Sequence, residues 1–121
     1  MSRRAVITGI GVVAPSGRTP DEHWATVVSG ESRIGPITIF DASGYRARLA
    51  GEVAGFDITG KVDGRLVVQT DRWTWQAFVA AEQAIADAGL DPGAMDPYDL
   101  SVVMASSSGP VNNRAHAVVL R

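Results

Sequence analysis

The sequence contains no cysteine, so these residues can form no disulfide, no thiolate metal site and no cysteine nucleophile. It has a single lysine, Lys61, and a net charge of −2, and its charges are scattered. A nucleic-acid-binding surface would need clustered basic residues. No apolar run is long enough to cross a bilayer, and the first residues do not resemble a signal peptide. These absences predict a cytoplasmic protein that binds neither nucleic acid nor membrane.

The first third of the chain predicts a strand followed by a helix. Residues 5–13 are apolar and β-branched on both parities, as in a strand buried on both faces. The next helix is predicted to begin after Thr19, with Pro20 in its first turn and Glu22 at the capping-box position, and to end at Gly30. Its inward face is predicted to carry Trp24, Val27 and Val28.

The remainder predicts two more strand pieces, a long helix and a last strand. The strand pieces are predicted at 37–40 and 46–53, the second with Leu49 on its buried face, followed by a surface loop over 54–64. The long helix is predicted from Thr70 or Asp71 to Ala88, and a buried strand over 100–105 follows it. This order predicts an α/β fold. Because the chain has too few elements to bury all of these faces, we expect an incomplete fold that self-associates or needs a partner.

Two glycines in the first predicted strand have the spacing of a dinucleotide-binding turn. Gly9, Gly11 and Ala14 fit G-x-G-x-x-A. That turn needs a helix that opens within the glycine run, whereas the predicted helix begins only near Pro20, and the nearest acid, Glu31, lies in a turn. We therefore interpret the glycines as positions where another backbone lies against the strand.

The remaining candidate catalytic and metal-ligating residues do not form the pattern of any known type of site. Helix capping explains Asp21 and Glu22, and His23 has no second ligand at metal spacing, so a solvated histidine is predicted. His116 has no identifiable nucleophile beside it. The serines at 106–108 lack the first glycine of a nucleophile elbow, which favours a tight corner beside a pocket or subunit boundary. No catalytic residue, metal site or cofactor site is predicted.

Four segments, in order and reaching to about residue 109, carry a family resemblance. The first is RAVITGIGVVAPSG at 4–17, and the second combines Trp24 and Ser29–Gly30 with IGPITIFDASGY at 34–45 and LAGEV at 49–53. The third is QTDR at 69–72 with the helix end AIADAGLDP at 84–92, and the fourth is VVMASSSG at 102–109. Together they resemble the N-terminal portion of β-ketoacyl synthases. The QTDR and ASSS runs make them most similar to the chain-length factors, or ketosynthase-β subunits, of aromatic type II polyketide synthases.

The resemblance implies part of a thiolase-like fold and a role in condensing acyl-carrier-protein thioesters. In this family a ketosynthase-α subunit holds the growing chain on a cysteine assisted by two histidines. The ketosynthase-β partner lacks that cysteine, forms a heterodimer with ketosynthase-α and lines the tunnel that limits chain length. The nucleophile and histidine positions lie beyond Arg121, so the resemblance assigns no catalytic residue here, and residues 110–121 depart from the family pattern. The residues that would face the tunnel are Gly109, Pro110, Val111 and Arg114.

Two alternatives stay open on the sequence. One is an N-terminal fragment of a catalytic β-ketoacyl-carrier-protein synthase of the fatty-acid type, which a cysteine at the downstream nucleophile position would indicate. The other is a small stand-alone α/β binding module with no condensing partner. The coding sequence that adjoins Arg121 would discriminate among the three hypotheses.

Overall fold

The computed structural model describes residues 4–105, which form three helices and one small sheet. The helices and strands, in chain order, are α1 (Pro20–Ser29), β1 (Ile34–Pro36), β2 (Leu49–Gly51), α2 (Gly64–Gln69) and α3 (Arg72–Asp87). Two single 3-10 turns follow α3, at Pro92–Ala94 and Pro97–Asp99. The strands pair antiparallel, with Ile34 opposite Gly51 and Pro36 opposite Leu49. The described part is thus a small, mixed arrangement of helices and strands.

Helix α1 has the predicted ends. The Thr19 hydroxyl accepts a hydrogen bond from Glu22 N at 3.2 Å, which satisfies one of the free amides of the first turn. The Glu22 carboxylate accepts from Arg18 N at 2.7 Å, one residue before the amide that a capping box would use. Gly30 ends the helix in the left-handed region, at φ 71°, where a residue without a Cβ is favoured.

The predicted inward face of α1 is wrong for the described residues. Trp24 is 66% exposed and Val28 is 67% exposed, and Val27 is also exposed. The three side chains do share one side of the helix, as the periodicity indicated, but that side is exposed in the part described.

Helix α3 is confirmed to within one residue at each end. The Asp71 carboxylate accepts from Thr74 N at 3.1 Å and caps the N-terminus. After α3, Gly89 adopts φ 63°, as expected for a glycine that ends a helix. Helix α2 was not predicted, because residues 54–64 were predicted to be a loop and the next helix to begin only at Thr70 or Asp71. Asp63 caps α2 by accepting from Arg65 N at 2.8 Å.

The strand pieces differ from the prediction in position and in parity. Strand β1 lies upstream of the predicted 37–40, because the amides of Thr38 and Ile39 donate to the Glu52 side chain instead of continuing a backbone ladder. Strand β2 lies inside the predicted 46–53. Leu49, predicted to be buried, is 64% exposed, whereas Ala50 is half-buried. The predicted parity of β2 is therefore wrong.

The two segments predicted as buried strands, 5–13 and 100–105, are not strands in the structure. Residues 101–105 are exposed, and so is most of 5–10, whereas residues 11–13 are half-buried. Ile7 is 86% exposed and Val103 is 92% exposed. A strand needs a hydrogen-bonded neighbour, and within residues 4–105 neither segment has one. Buried apolar side chains are correspondingly few in this part of the chain: Ala42, Ile58 and Val79. Ile58 lies in the loop that was predicted to be entirely at the surface.

Candidate functional site

Residues 4–13, which we call the first segment, lie along helix α3. Ile10 N donates to the Asp87 carboxylate at 2.9 Å, and Val12 N donates to Gln83 Oε1 at 3.0 Å. Residues four apart on a helix are separated by about 6 Å along its axis, and residues two apart on an extended chain by about 6.6 Å. The two spacings match, so side chains of α3 take the place of a neighbouring strand.

Gly9 and Gly11 make this close approach possible. A Cβ on Gly9 would overlap the carbonyl oxygen of Ala84, and one on Gly11 would overlap that of Ala80. The prediction that the glycines allow another backbone to approach is confirmed, and the backbone is that of α3. The space that a pyrophosphate would need beside these glycines is filled by the helix, which removes the basis for a nucleotide site there.

A tight turn connects the first segment to α1. Ala14 N donates to Gly17 O at 2.8 Å, and Gly17 N donates to Ala14 O at 3.1 Å. Gln83 adds a bond from the helix side, because its Nε2 donates to Arg18 O at 2.6 Å. The Gln83 amide thus holds both ends of this turn on α3.

One pair of reactive side chains was missed by the sequence analysis. The Ser16 hydroxyl lies 2.6 Å from His23 Nδ1, and His23 is half-buried rather than solvated as predicted. A nucleophile and a base at this distance would still need a third group to orient the imidazole. No hydrogen bond between His23 and a carboxylate occurs within residues 4–105. Because Ser16 lies in the turn and His23 in α1, their hydrogen bond links the turn to the helix. No motif spacing signalled it.

A polar cavity of about 590 Å³ opens beside this turn. Its charged lining residues are Arg18, Glu22, Arg33 and Glu52. These charges have partners in the chain: Arg18 donates to Gly55 O at 3.2 Å, and Arg33 forms an exposed ion pair with Glu31 at 2.8 Å. The cavity therefore presents balanced charges rather than a site selective for an anion or a cation.

Glu52, which follows β2, binds the segment that follows β1 through its carboxylate. It accepts from the Thr38 hydroxyl at 2.6 Å, from Thr38 N at 2.9 Å and from Ile39 N at 3.3 Å. The Thr38 hydroxyl bond first, and then the Thr38 amide bond, lower the pKa of Glu52 below its ordinary value because they stabilise the carboxylate. Glu52 is thus held ionised as a structural acceptor and is poorly suited to act as a proton donor.

An apolar cavity of about 530 Å³ lies on the other side of Glu52. Its lining combines apolar side chains with two polar ones from α3: Val13, Ile37, Ile39, Phe40, Ala50, Arg72 and Gln76. The Arg72 guanidinium also donates to Val53 O and to Phe56 O, and it lies 5.3 Å from the centre of the Phe56 ring. Arg72 therefore joins the loop after β2 to the start of α3 by hydrogen bonds.

The QTDR run now has a structural explanation. The Thr70 hydroxyl accepts from Trp75 Nε1 at 2.9 Å and donates to Leu66 O, which links α2 to α3. Asp71 caps α3, and Arg72 holds the loop after β2. Each of the three residues thus joins or caps an element: Thr70 joins α2 to α3, Asp71 caps α3, and Arg72 joins the loop after β2 to α3.

The residues predicted to face the tunnel, Gly109, Pro110, Val111 and Arg114, lie outside the described residues, as do the serines at 106–108 and His116. Over residues 4–105, no three histidine or carboxylate side chains come together as a metal site would require. No helix in that range is long and apolar enough to span a membrane.

Comparison with known proteins finds similarity to β-ketoacyl synthases both in the family match and in the individual relatives. The β-ketoacyl synthase N-terminal domain matches residues 2–120. The chain is 49% identical over 104 residues to the tetracenomycin polyketide synthase ketoacyl synthase beta subunit of Streptomyces glaucescens, covering 86% of this chain and 25% of that protein. It is 43% identical over 108 residues to the granaticin polyketide putative beta-ketoacyl synthase 2 of Streptomyces violaceoruber, covering 88% and 26%. The corresponding granaticin synthase 1 is 41% identical over 107 residues, covering 88% and 25%.

Proposed function

We propose that this chain, which belongs to the β-ketoacyl synthase family, is the N-terminal part of a polyketide chain-length factor. The observation that carries the proposal is the 49% identity to a protein named as a ketoacyl synthase beta subunit, over 86% of the chain. The chain spans about a quarter of the length of the curated relatives it matches. The activity and partners below are therefore proposed for the complete subunit.

The contacts of the residues around the two cavities favour a structural role for this part of the chain rather than a catalytic one. Glu52 and Arg72, the cavity residues whose side chains make the most hydrogen bonds, bind other parts of the chain. The Ser16–His23 pair has no orienting carboxylate within residues 4–105. In the complete protein, the segment would complete a subunit that pairs with a ketosynthase-α and acts with an acyl carrier protein, while the nucleophilic cysteine belongs to the partner.

A second function is favoured by one specific observation. The granaticin synthases 1 and 2 of the same organism match this chain at 41% and 43% identity. Because synthase 1 and synthase 2 match the chain almost equally well, the identities do not decide between the two kinds of subunit. A catalytic β-ketoacyl-carrier-protein synthase is therefore the alternative. A cysteine encoded at the family's downstream nucleophile position would favour the catalytic synthase. Any other residue at that position would favour the chain-length factor.

The proposal can be tested by exchange. Residues 4–105 of this chain would replace the equivalent segment of the complete Streptomyces glaucescens ketoacyl synthase beta subunit, co-expressed with its ketosynthase-α and carrier protein. We expect the chimera to co-purify with the ketosynthase-α and to support polyketide formation, because nearly half of the residues are already identical. The measurements are pull-down yield and product mass.

The control is the same chimera with Gly11→Val, which should fail to pair because the first segment can no longer lie on α3. A chimera that does not pair, together with a 121-residue chain that folds alone as a monomer, would favour the stand-alone binding module instead.

Gly109, Pro110, Val111 and Arg114 are proposed to face the tunnel of the complete subunit. Residues 110–114 would be grafted alone into the same complete subunit. We expect a change in the length of the polyketide, because a close-packed wall of different volume admits a different number of carbons. The readout is the product length distribution. An unchanged distribution with an intact heterodimer would remove these residues from the tunnel wall.

A further inference from the structure

The Ser16–His23 pair borders a cavity that a small molecule can enter. The Ser16 hydroxyl lies 2.6 Å from His23 Nδ1, and Ser16 is one of the residues that line the polar cavity of about 590 Å³. Both residues are half-buried rather than sealed from solvent. With the imidazole proton on Nε2, Nδ1 accepts the hydrogen bond of the hydroxyl, which is the arrangement of a base beside a nucleophile.

Backbone contacts hold the two side chains together. His23 N donates to Thr19 O at 3.0 Å in the first turn of α1, which fixes the position of the His23 backbone. Gly17, next to Ser16, lies so close to this turn that a Cβ on it would overlap His23 N. The serine and the imidazole are therefore neighbours because the backbone is packed there, and not only because they share a hydrogen bond.

We propose that Ser16 is an acylation site, with His23 as its general base. In this step Ser16 Oγ forms a bond to the carbonyl carbon of an activated ester or thioester, and the Ser16 proton passes to His23 Nδ1. The bond from that carbon to the leaving oxygen or sulfur breaks, and the leaving group takes its electron pair. His23 then releases the proton to the leaving group or to water. The product is an ester on Ser16, and the inference does not depend on the proposed function.

The charges of the cavity favour an acyl donor over a phosphoryl donor. The lining has two guanidinium groups, from Arg18 and Arg33, and two carboxylates, from Glu22 and Glu52. A phosphoryl donor carries several negative charges and needs an excess of cations, which this lining does not offer. An uncharged ester has no such requirement. Because no carboxylate orients His23 within residues 4–105, we expect transfer of one acyl group per chain rather than repeated turnover.

The test uses p-nitrophenyl acetate as the acyl donor and the folded 121-residue chain as the acceptor. We expect Ser16 to be acetylated about a hundredfold faster than Ser29, which is exposed and whose hydroxyl donates to Thr26 O instead of a histidine. Tryptic cleavage after Arg18 separates the two serines, and mass spectrometry locates the acetyl group. Alkaline hydroxylamine removes an ester from serine but leaves an amide on Lys61.

Two comparisons distinguish a base from a structural partner. In His23→Asn, the amide can accept the hydrogen bond of Ser16 but cannot take up its proton, so the acetylation rate of Ser16 should fall about a hundredfold while the circular dichroism stays parental. Unfolding the parent in urea needs no variant and should lower the Ser16 rate to that of Ser29. Equal rates at Ser16 and Ser29 in the folded chain would overturn the proposal, as would a parental Ser16 rate in His23→Asn.

Discussion

Gly11→Val is expected to abolish most of the soluble, folded chain. Its Cβ would overlap the carbonyl oxygen of Ala80, and the two methyl groups would enter the same helix turn. The neighbour is helix backbone, which cannot rotate out of the way as a side chain could. Overpacking typically costs about 1–3 kcal/mol, and a neighbour that cannot rotate away places Gly11→Val at the upper end of that range. That is a large share of the stability of a chain whose described part buries three apolar side chains. Soluble yield and the urea midpoint would measure the loss.

Gly35→Val is the matched control for this substitution. Gly35 lies in β1, its Cβ position has no atom within 4 Å, and valine is favoured in strands. The control should retain the parental midpoint. Equal midpoints for Gly11→Val and the parent would contradict the contact between the first segment and α3. In a separate arm, NAD or ATP should leave the melting temperature unchanged, because a ligand of the native state would raise it with concentration.

Helices α1 and α3 could be predicted because the signals at their ends are local. Thr19 and Asp71 each bind an amide within three residues, and Gly30 and Gly89 each adopt the conformation that ends a helix. These contacts need no distant part of the chain. The ends of α1 and α3 therefore followed from the sequence alone.

The strands could not be predicted in the same way, because a strand depends on a partner elsewhere in the chain. Residues 5–13 and 100–105 have the composition of buried strands, yet the elements that would bury them are not among residues 4–105. The parity of β2 was wrong for a related reason. Alternation indicates which residues share a face, and packing decides which face is covered.

The site was predicted only in part. The glycine spacing indicated a close backbone contact, but no pattern identified α3 as the neighbour, since the contact spans more than seventy residues. Ser16 and His23 come together through the turn before α1, and Glu52, after β2, binds Thr38, after β1. Such pairings depend on how the elements fold against each other. The QTDR run was useful as a family signal, and its physical role emerged only with the structure.

Gln83→Met is expected to detach the turn at 14–17 from α3 at a cost of about 1–3 kcal/mol. Gln83 Oε1 accepts from Val12 N at 3.0 Å, and its Nε2 donates to Arg18 O at 2.6 Å. Methionine has a similar length and helix propensity but cannot replace either bond, which leaves the partly buried Val12 amide without a partner. The urea midpoint should fall, and exchange of the Val12 amide should become faster.

Two further substitutions separate the bonds from the bulk of the side chain. Gln83→Glu keeps an acceptor for Val12 N but loses the donor to Arg18 O, so its urea midpoint should lie between those of the parent and Gln83→Met, with the Val12 amide still protected. Glu82→Met changes the exposed neighbouring residue on α3 and should leave both readouts unchanged. If Gln83→Met exchanged Val12 at the parental rate, the helix side chains would not hold the first segment. If the urea midpoint instead falls in the order parent, Gln83→Glu, Gln83→Met, the Gln83 amide is the group through which α3 holds the first segment.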